Sequence, residues 1–411
     1  MRIAFIDYVF SWPPLGGAPA DLYYTMKGLQ ALGHDVHLFF AAHDPRNWLL
    51  SEVQVDTLGF PTTRLDFSLD TFQPARVAED FRRVVEPWKP DVIFQCFGFF
   101  IKPWITKAFQ DYPQVCRYYA YEPFCPRDYR LYRNYATCPY NFLKTPQECL
   151  RCTTNTFWRV IRTGRPTIYV SEYEDTRAYT PEYHELLIET LGMYRAIIVY
   201  NRFTKSMLDP YNPNVHVIGG GVHVSDFAFS PMPTRAAGEK KVVLMSGRAD
   251  DFSKGMHTMK AAGKILSRER DDFEIRVTSM QTNLETDWFK PIGWHNHDAV
   301  VQFYHESDLC VVPSEWEEPF GLVAVEAMAS GRPAIVSDVG GLQDIVVHSE
   351  TGLIFKRGES AQLADCVRQL LDDPKRAAAM GRAGRARVEQ EYDWDTVIRR
   401  HYPGILEEAV R

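Results

Sequence analysis

No stretch of this 411-residue chain approaches the roughly 18–20 consecutive apolar residues that span a bilayer. Asp7 interrupts the opening run Arg2-Ile3-Ala4-Phe5-Ile6 at once, so no signal-peptide core is expected there. Cysteine is sparse and scattered, eight residues in all, which points to a reducing cytoplasm rather than a disulfide framework. Positive charge is not in excess: the formal net charge is −7, so the molecule as a whole is not a nucleic-acid binder by charge. There is no low-complexity segment, no short-period repeat and no GxGxxG fingerprint.

What is present suits a globular α/β protein. The apolar share is 45% and the charged share 24%, both ordinary for a folded soluble chain. Single cores stop growing near ~250–300 residues, so two domains are expected. Arg2–Ile6 reads as a buried parallel strand. Ser11–Pro19 is a loop carrying Gly16-Gly17. Leu22, Met26, Leu29 and Leu32 then repeat at helical spacing before Gly33, and Asp35–Phe40 is the next strand. The same β-loop-α-β pattern restarts with strand Lys240–Ser246, loop Gly247–Gly255, helix Met256–Leu266 and strand Phe273–Ser279. Gly219-Gly220-Gly221 and the Pro231–Gly238 stretch between them read as an interdomain linker. The expected divisions are 1–222, with a basic, aromatic and Cys-containing insertion at about 120–185, then 223–392, then a final helix at 393–411 crossing back to the first domain.

The most informative stretch is Val311–Gly331. A strand ends at Pro313, an acidic loop follows, and Pro319 reads as the first residue of a helix that Gly331 closes. A helix N-terminus offers free N–H groups and partial positive charge to a phosphate or sugar oxygen. On such a helix Glu326 would lie about 12 Å beyond Glu318 at 1.5 Å per residue. That span suits the separation of a donor sugar from its nucleoside ribose. Glu326 sits among Leu322, Val323, Val325, Ala327 and Met328, where a carboxylate is costly without partners. Ribose hydroxyls are one such partner; a buried arginine or a second element is the other.

Glu318…Glu326 with Pro319-Phe320-Gly321 between them resembles the E-x7-E signature of the retaining glycosyltransferase family 4. Gly331–Ser337, Gly340-Gly341, Gly352-Leu353 and Tyr392…Trp394 resemble that family too. The likeness is strong over about 240–400 and 1–40 and weak between. It implies the GT-B fold, two Rossmann-like doubly wound parallel-sheet domains facing across a cleft. It also implies transfer of a hexosyl group, with retention, from a UDP- or GDP-sugar to a hydroxyl of a glycan, glycolipid or small natural product. The resemblance places Arg248 and Lys254 on the donor diphosphate, Glu318 at the donor sugar and Glu326 at the ribose. Gly16, Gly17, Pro319, Phe320, Gly321 and Leu322 would line the donor, and no metal or cofactor would be required. A GT-B phosphorylase or epimerase, and a non-catalytic sugar-nucleotide binder, are the competing readings.

Three features stand outside that pattern. Tyr121-Glu122-Pro123 occupies a place where related enzymes often carry His before an acidic residue; tyrosine, with a pKa of about 10, is a poor base near neutrality. Two readings stand: Tyr121 or Glu122 fills that role against sugar, or Tyr121 is ordinary packing. Residues 127–165 hold eight basic and two acidic side chains interleaved with aromatics. That mixture suits an anionic lipid surface or phosphorylated acceptor, hence possible peripheral membrane contact, and equally suits stems laid over apolar surface. Cys125, Cys138, Cys149 and Cys152 could hold a structural zinc or be free thiols. Asp393-Trp394-Asp395 resembles a metal-binding DxD but sits late, in a helix, and reads as structural.

Overall fold

The structure is a computed structural model that describes residues 1–14, 16–43, 53–67, 73–127, 130–163, 168–295 and 297–411. Leu15 of the first loop, and Asp128, Tyr129 and Arg165 of the basic stretch, lie outside the described residues. The chain forms two units. The first comprises Met1–Leu131, Cys138–Ile218 and Ile398–Arg411; the second comprises Tyr132–Thr137 and Gly219–Val397.

Buried apolar runs make the central strands of both units, Val92–Gln95 and Ala196–Val199 in one and Leu309–Val312 and Ala334–Ser337 in the other, as parallel sheets covered on both faces require. In the first unit the strands are β1 (Arg2–Asp7), β2 (Asp35–His43), β3 (Thr62–Phe67), β4 (Val92–Gln95) and β5 (Gln114–Arg117). A two-stranded hairpin follows, β6 (Tyr132–Arg133) and β7 (Ala136–Thr137), and then β8 (Ala196–Val199) and β9 (Val215–Val217). The second sheet holds β10 (Lys241–Met245), β11 (Phe273–Val277), β12 (Phe289–Pro291), β13 (Leu309–Val312), β14 (Ala334–Ser337) and β15 (Gly352–Phe355). The orders are β3-β2-β1-β4-β5-β8-β9 and β12-β11-β10-β13-β14-β15, and the pairings within both large sheets are parallel. This is the doubly wound architecture expected from the sequence. Strand order reverses between β1 and β4 and again between β10 and β13. Ligands of open α/β sheets bind at such switch points, beyond the carboxyl ends of the strands.

The boundary between the units falls between Ile218 and Gly219, where the sequence places a linker, and the glycines there are closely packed. A Cβ on Gly221 would stand 2.9 Å from the Trp394 ring and from the Tyr392 carbonyl, and Val222 N–H donates to that carbonyl at 2.9 Å. Glycine is there because two backbones meet. The basic insertion does not lie wholly in the first unit, since Tyr132–Thr137 packs in the second. The four cysteines form no disulfide, and no cluster of three or more potential metal ligands occurs among the described residues. Burial pushes the Cys149 thiol up to about 12. Asp393 is structural, its Oδ1 accepting from Val224 N–H at 3.1 Å.

The terminal helix Trp394–Val410 is tied into the first unit through a buried ion pair. Arg117, at the end of β5, donates to Asp21 Oδ2 at 2.7 Å and to the Tyr402 hydroxyl at 3.0 Å. Tyr200 also donates to Asp21 Oδ2, at 3.0 Å. Both charged side chains are almost fully buried. Removing one partner of such a pair strands the other charge, at a cost of about 3–5 kcal/mol. Asp21→Ala is therefore expected to destabilise the first unit by about that amount in denaturant unfolding, with Asp21→Asn losing less.

Candidate functional site

In the second unit the switch point between β10 and β13 is flanked by two loops. The first, Ser246–Gly255, follows β10 and carries Arg248 and Lys254. The second, Pro313–Gly321, follows β13 and leads into the helix Leu322–Ala329. Gly255 adopts φ 76°, and a Cβ there would stand 1.9 Å from the Pro313 carbonyl oxygen. Only glycine lets the loops touch. The Gly247 backbone lies against Val323, in the first turn of the helix.

The helix does not begin at Pro319. Gly321, at φ 112°, is its cap and Leu322 its first residue. The reason is local. The Glu318 carbonyl accepts from Gly341 N–H at 2.7 Å, so residues 318–320 are pinned to the loop after β14 and cannot wind into a helical turn. Glu318 and Glu326 consequently do not share one helix, and the expected 12 Å axial spacing does not describe them.

Glu318 is embedded in donors. Lys254 Nζ reaches both of its oxygens, at 3.0 and 2.8 Å; Ser314 Oγ donates at 2.8 Å and Trp316 Nε1 at 2.9 Å. Lys254 also lies 4.8 Å from the Trp316 ring centre. Burial works to raise the Glu318 pKa, but Lys254 and these hydrogen bonds outweigh it and hold the carboxyl below its usual range. Arg248 differs: it is exposed, and its guanidinium meets no acceptor among the described residues. Of the two predicted phosphate-binding cations, one is already neutralised and the other is unpaired.

Glu326 faces a different environment. Its Oε2 accepts from the Tyr304 hydroxyl at 2.8 Å, and that hydroxyl lies 2.8 Å from Ser246 Oγ. Oε1 accepts no hydrogen bond among the described residues. Burial of the carboxyl group raises its pKa to about 7 against the pull of the Tyr304 hydrogen bond. Between it and Glu318 lies the first turn of the helix, whose leading N–H groups have no intrahelical partner.

The remaining expected residues lie in the first unit. Gly16, at φ 117°, caps the helix Gly17–Ala31, and neither Gly16 nor Gly17 has a neighbour where a Cβ would point. Tyr121 is fully buried, 6.1 Å from the Phe203 ring centre and 6.4 Å from that of Phe124. Glu122 is also buried, accepting from Ala120 N–H at 3.1 Å. Packing accounts for Tyr121, which leaves no open face for a sugar. Ser246, Tyr304, Ser314 and Trp316 escaped the sequence reading. Only Trp316 gave a signal, an indole inside an acidic loop.

The Glu326 shift has a stability consequence. Its folded pKa of about 7 exceeds the ordinary 4.5, so the folded state holds a proton that the unfolded chain releases. Stability is expected to fall as pH rises from 4.5 to about 7 and then level off. Comparing unfolding across that window with Glu326→Gln isolates the effect, because the amide variant should lack this component.

With the geometry in place, similarity to known proteins is informative. Residues 227–387 match the family described as Glycosyl transferases group 1. A glycogen synthase of Mycobacterium tuberculosis is 31% identical over 204 residues, 46% of this chain and 48% of that protein. The chain thus spans about half the length of the curated relatives it matches. Sucrose-phosphate synthase from Thermosynechococcus elongatus superposes with a TM-score of 0.66 at 21% identity, covering 97% of this chain and 96% of that one. HepE of Anabaena, solved with UDP-glucose, gives 0.64 at 15% identity, covering 99% and 98%. At these identities the likeness to the solved structures is one of fold. Residues 227–387 thus match the glycosyl transferases group 1 family model, and the chain as a whole shares the GT-B fold of these solved structures.

Proposed function

We propose that this protein transfers a hexosyl group from a nucleotide diphosphate sugar to an acceptor hydroxyl with retention at the anomeric carbon. One observation carries the reading: the N-terminus of helix Leu322–Ala329 stands between an unpaired cation, Arg248, and a carboxylate, Glu326, whose Oε1 is open to a donor. Arg248 and the leading N–H groups meet the diphosphate, where negative charge grows as the bond from the anomeric carbon to the leaving oxygen breaks. The acceptor oxygen bonds to that carbon, and its proton passes to the departing phosphate oxygen. Glu326 receives the ribose hydroxyls. Glu318 holds Lys254 in place and offers its Oε1 edge to the donor sugar. The UDP-glucose bound by HepE favours a UDP-hexose among the donors.

The site's partners separate under mutation. UDP or GDP should raise the thermal stability of the protein by mass action. Arg248→Ala should weaken the nucleoside diphosphate about 10- to 100-fold, the range for losing a charged hydrogen bond, and leave uridine or guanosine binding nearly unchanged. Glu326→Ala should weaken diphosphate and nucleoside alike. Wild-type affinity should rise as pH passes upward through about 7, where Glu326 ionises. Stabilisation by neither nucleotide, or an equal response in Glu326→Ala, sinks the assignment.

The basic insertion supports a second partner, an anionic lipid surface on the cytoplasmic face of a membrane. The helix Pro146–Ile161 buries Cys149, Thr153 and Phe157. Arg151, Asn155, Trp158, Arg159 and Arg162 form one exposed stripe on its other side. Arg151 also pairs with Glu148 at 3.5 Å. A tryptophan between arginines suits the headgroup boundary. Binding to phosphatidylglycerol vesicles should weaken steeply with salt and be lost in Trp158→Ser/Arg159→Ser. Salt-insensitive or absent binding in the wild type argues against that partner.

A further inference from the structure

The second unit carries an aromatic surface that the donor site does not use. Its parts are Tyr135, at the tip of the β6–β7 hairpin, and Phe252 and His257, on either side of Lys254. Tyr135 is 62% exposed and Phe252 52% exposed. Their ring centres are 5.1 Å apart, edge to face. Phe252 stacks on His257 at 4.8 Å, 10° from parallel, and Tyr135 meets the same imidazole edge-on at 6.0 Å. Three rings are thus held in a fixed cluster at the surface.

Two features set this cluster apart from incidental exposure. The first is backbone strain. The hairpin turns through Asn134 and Tyr135, both left-handed, at φ 50° and 62°. A two-residue turn with both centres at positive φ favours Asn followed by Gly. Asn134 fits that rule; a bulky aromatic at the second position is an outlier, and such strain collects at functional positions. The second is rigid attachment to the proposed donor loops. His257 Nε2 sits 2.7 Å from Glu315 Oε1. Tyr132 donates to Glu315 Oε2 at 3.2 Å, and Thr137 bonds to Glu317. Phe252 begins the short turn that ends at Lys254. The platform is therefore fixed to both loops that surround Glu318.

We infer that Tyr135, Phe252 and His257 form a stacking platform for a pyranose ring of a saccharide acceptor. Exposed aromatic rings take the C–H face of a sugar, and the Tyr135 hydroxyl and the exposed neighbours Arg133 and Asn134 can bond its hydroxyls. An exposed apolar patch rimmed by polar groups marks an interaction site. The inference rests on the glycosyl-transfer reading and names the substrate class it acts on: a sugar ring, not a lipid or a small aglycone alone.

Saturation-transfer NMR tests it on the full-length protein, with methyl α-D-glucoside, methyl α-D-mannoside, maltotriose and cellotriose as probes. At least one trisaccharide should receive saturation from the wild type. Tyr135→Gly and Phe252→Ser should each lower that signal at least fivefold. Tyr135→Gly relieves the turn, so its melting temperature should stay level or rise, which separates a lost platform from a damaged fold. Nucleotide stabilisation should be unchanged in both variants. If the variants keep the wild-type signal, lose nucleotide binding in parallel, or the wild type binds none of the four sugars, the platform is overturned. Loss of nucleotide binding in the wild type alone would instead overturn the donor site.

Discussion

Three carboxylates within four residues, Glu315, Glu317 and Glu318, cannot occupy one buried loop unless each has its own source of positive charge or hydrogen-bond donors. The fold of the second unit around the candidate site follows from meeting that demand. Glu318 takes Lys254, Ser314 and Trp316. Glu315 takes Thr258 at 2.6 Å, with His257 and Tyr132 beside it. Glu317 takes Arg357 at 3.1 Å and Gly340 N–H at 2.8 Å, with Thr137 completing its shell. The loop after β10, the helix that follows it, the loop after β14, the turn after β15 and the β6–β7 hairpin are each drawn in by one of these groups.

The contrast between Glu318 and Glu326 follows from the same accounting. Glu318 is saturated with donors and its pKa lies low. Glu326 has one hydroxyl partner and its pKa lies high. Two glutamates of one motif are thus prepared differently, one as a fixed anion holding a cation, the other as an unsaturated acceptor near its titration point. Similar electrostatic sorting divides the cations. Lys254 pairs with Glu318, whereas Arg248 meets no carboxylate among the described residues.

Much of the architecture was legible because parallel sheets write themselves as short apolar runs. Arg2–Ile6, Asp35–Phe40 and Phe273–Ser279 read directly as strands and fall on β1, β2 and β11, and the helix Met256–Leu266 was placed to the residue. Thr62–Phe67 escaped because its exposed Arg64 and Asp66 break the apolar pattern. The start of the helix after the acidic loop was misplaced for a tertiary reason: proline suits a first helical turn, but the bond from Gly341 to the Glu318 carbonyl overrode that preference. The glycine triplet at 219–221 reads as a linker from composition alone, which cannot distinguish glycine kept for freedom from glycine kept for close approach. The site's polar surround was illegible for a similar reason. Tyr304 and Ser246 meet Glu326 only through the fold, and nothing in their local sequence marks them.

The hairpin Tyr132–Thr137 has a consequence for how this protein can be divided. The second unit is discontinuous in sequence: six of its residues are encoded far upstream, inside the stretch that otherwise builds the first unit. A fragment cut at 219 and 397 would lack the donors that Tyr132 and Thr137 provide, leaving Glu315 and Glu317 short of partners in a buried loop. The unit is not a cassette that recombination could move whole. A chimera that replaced residues 219–397 and kept 132–137 would set this hairpin against a foreign loop, and inheritance of the two segments is in that sense linked.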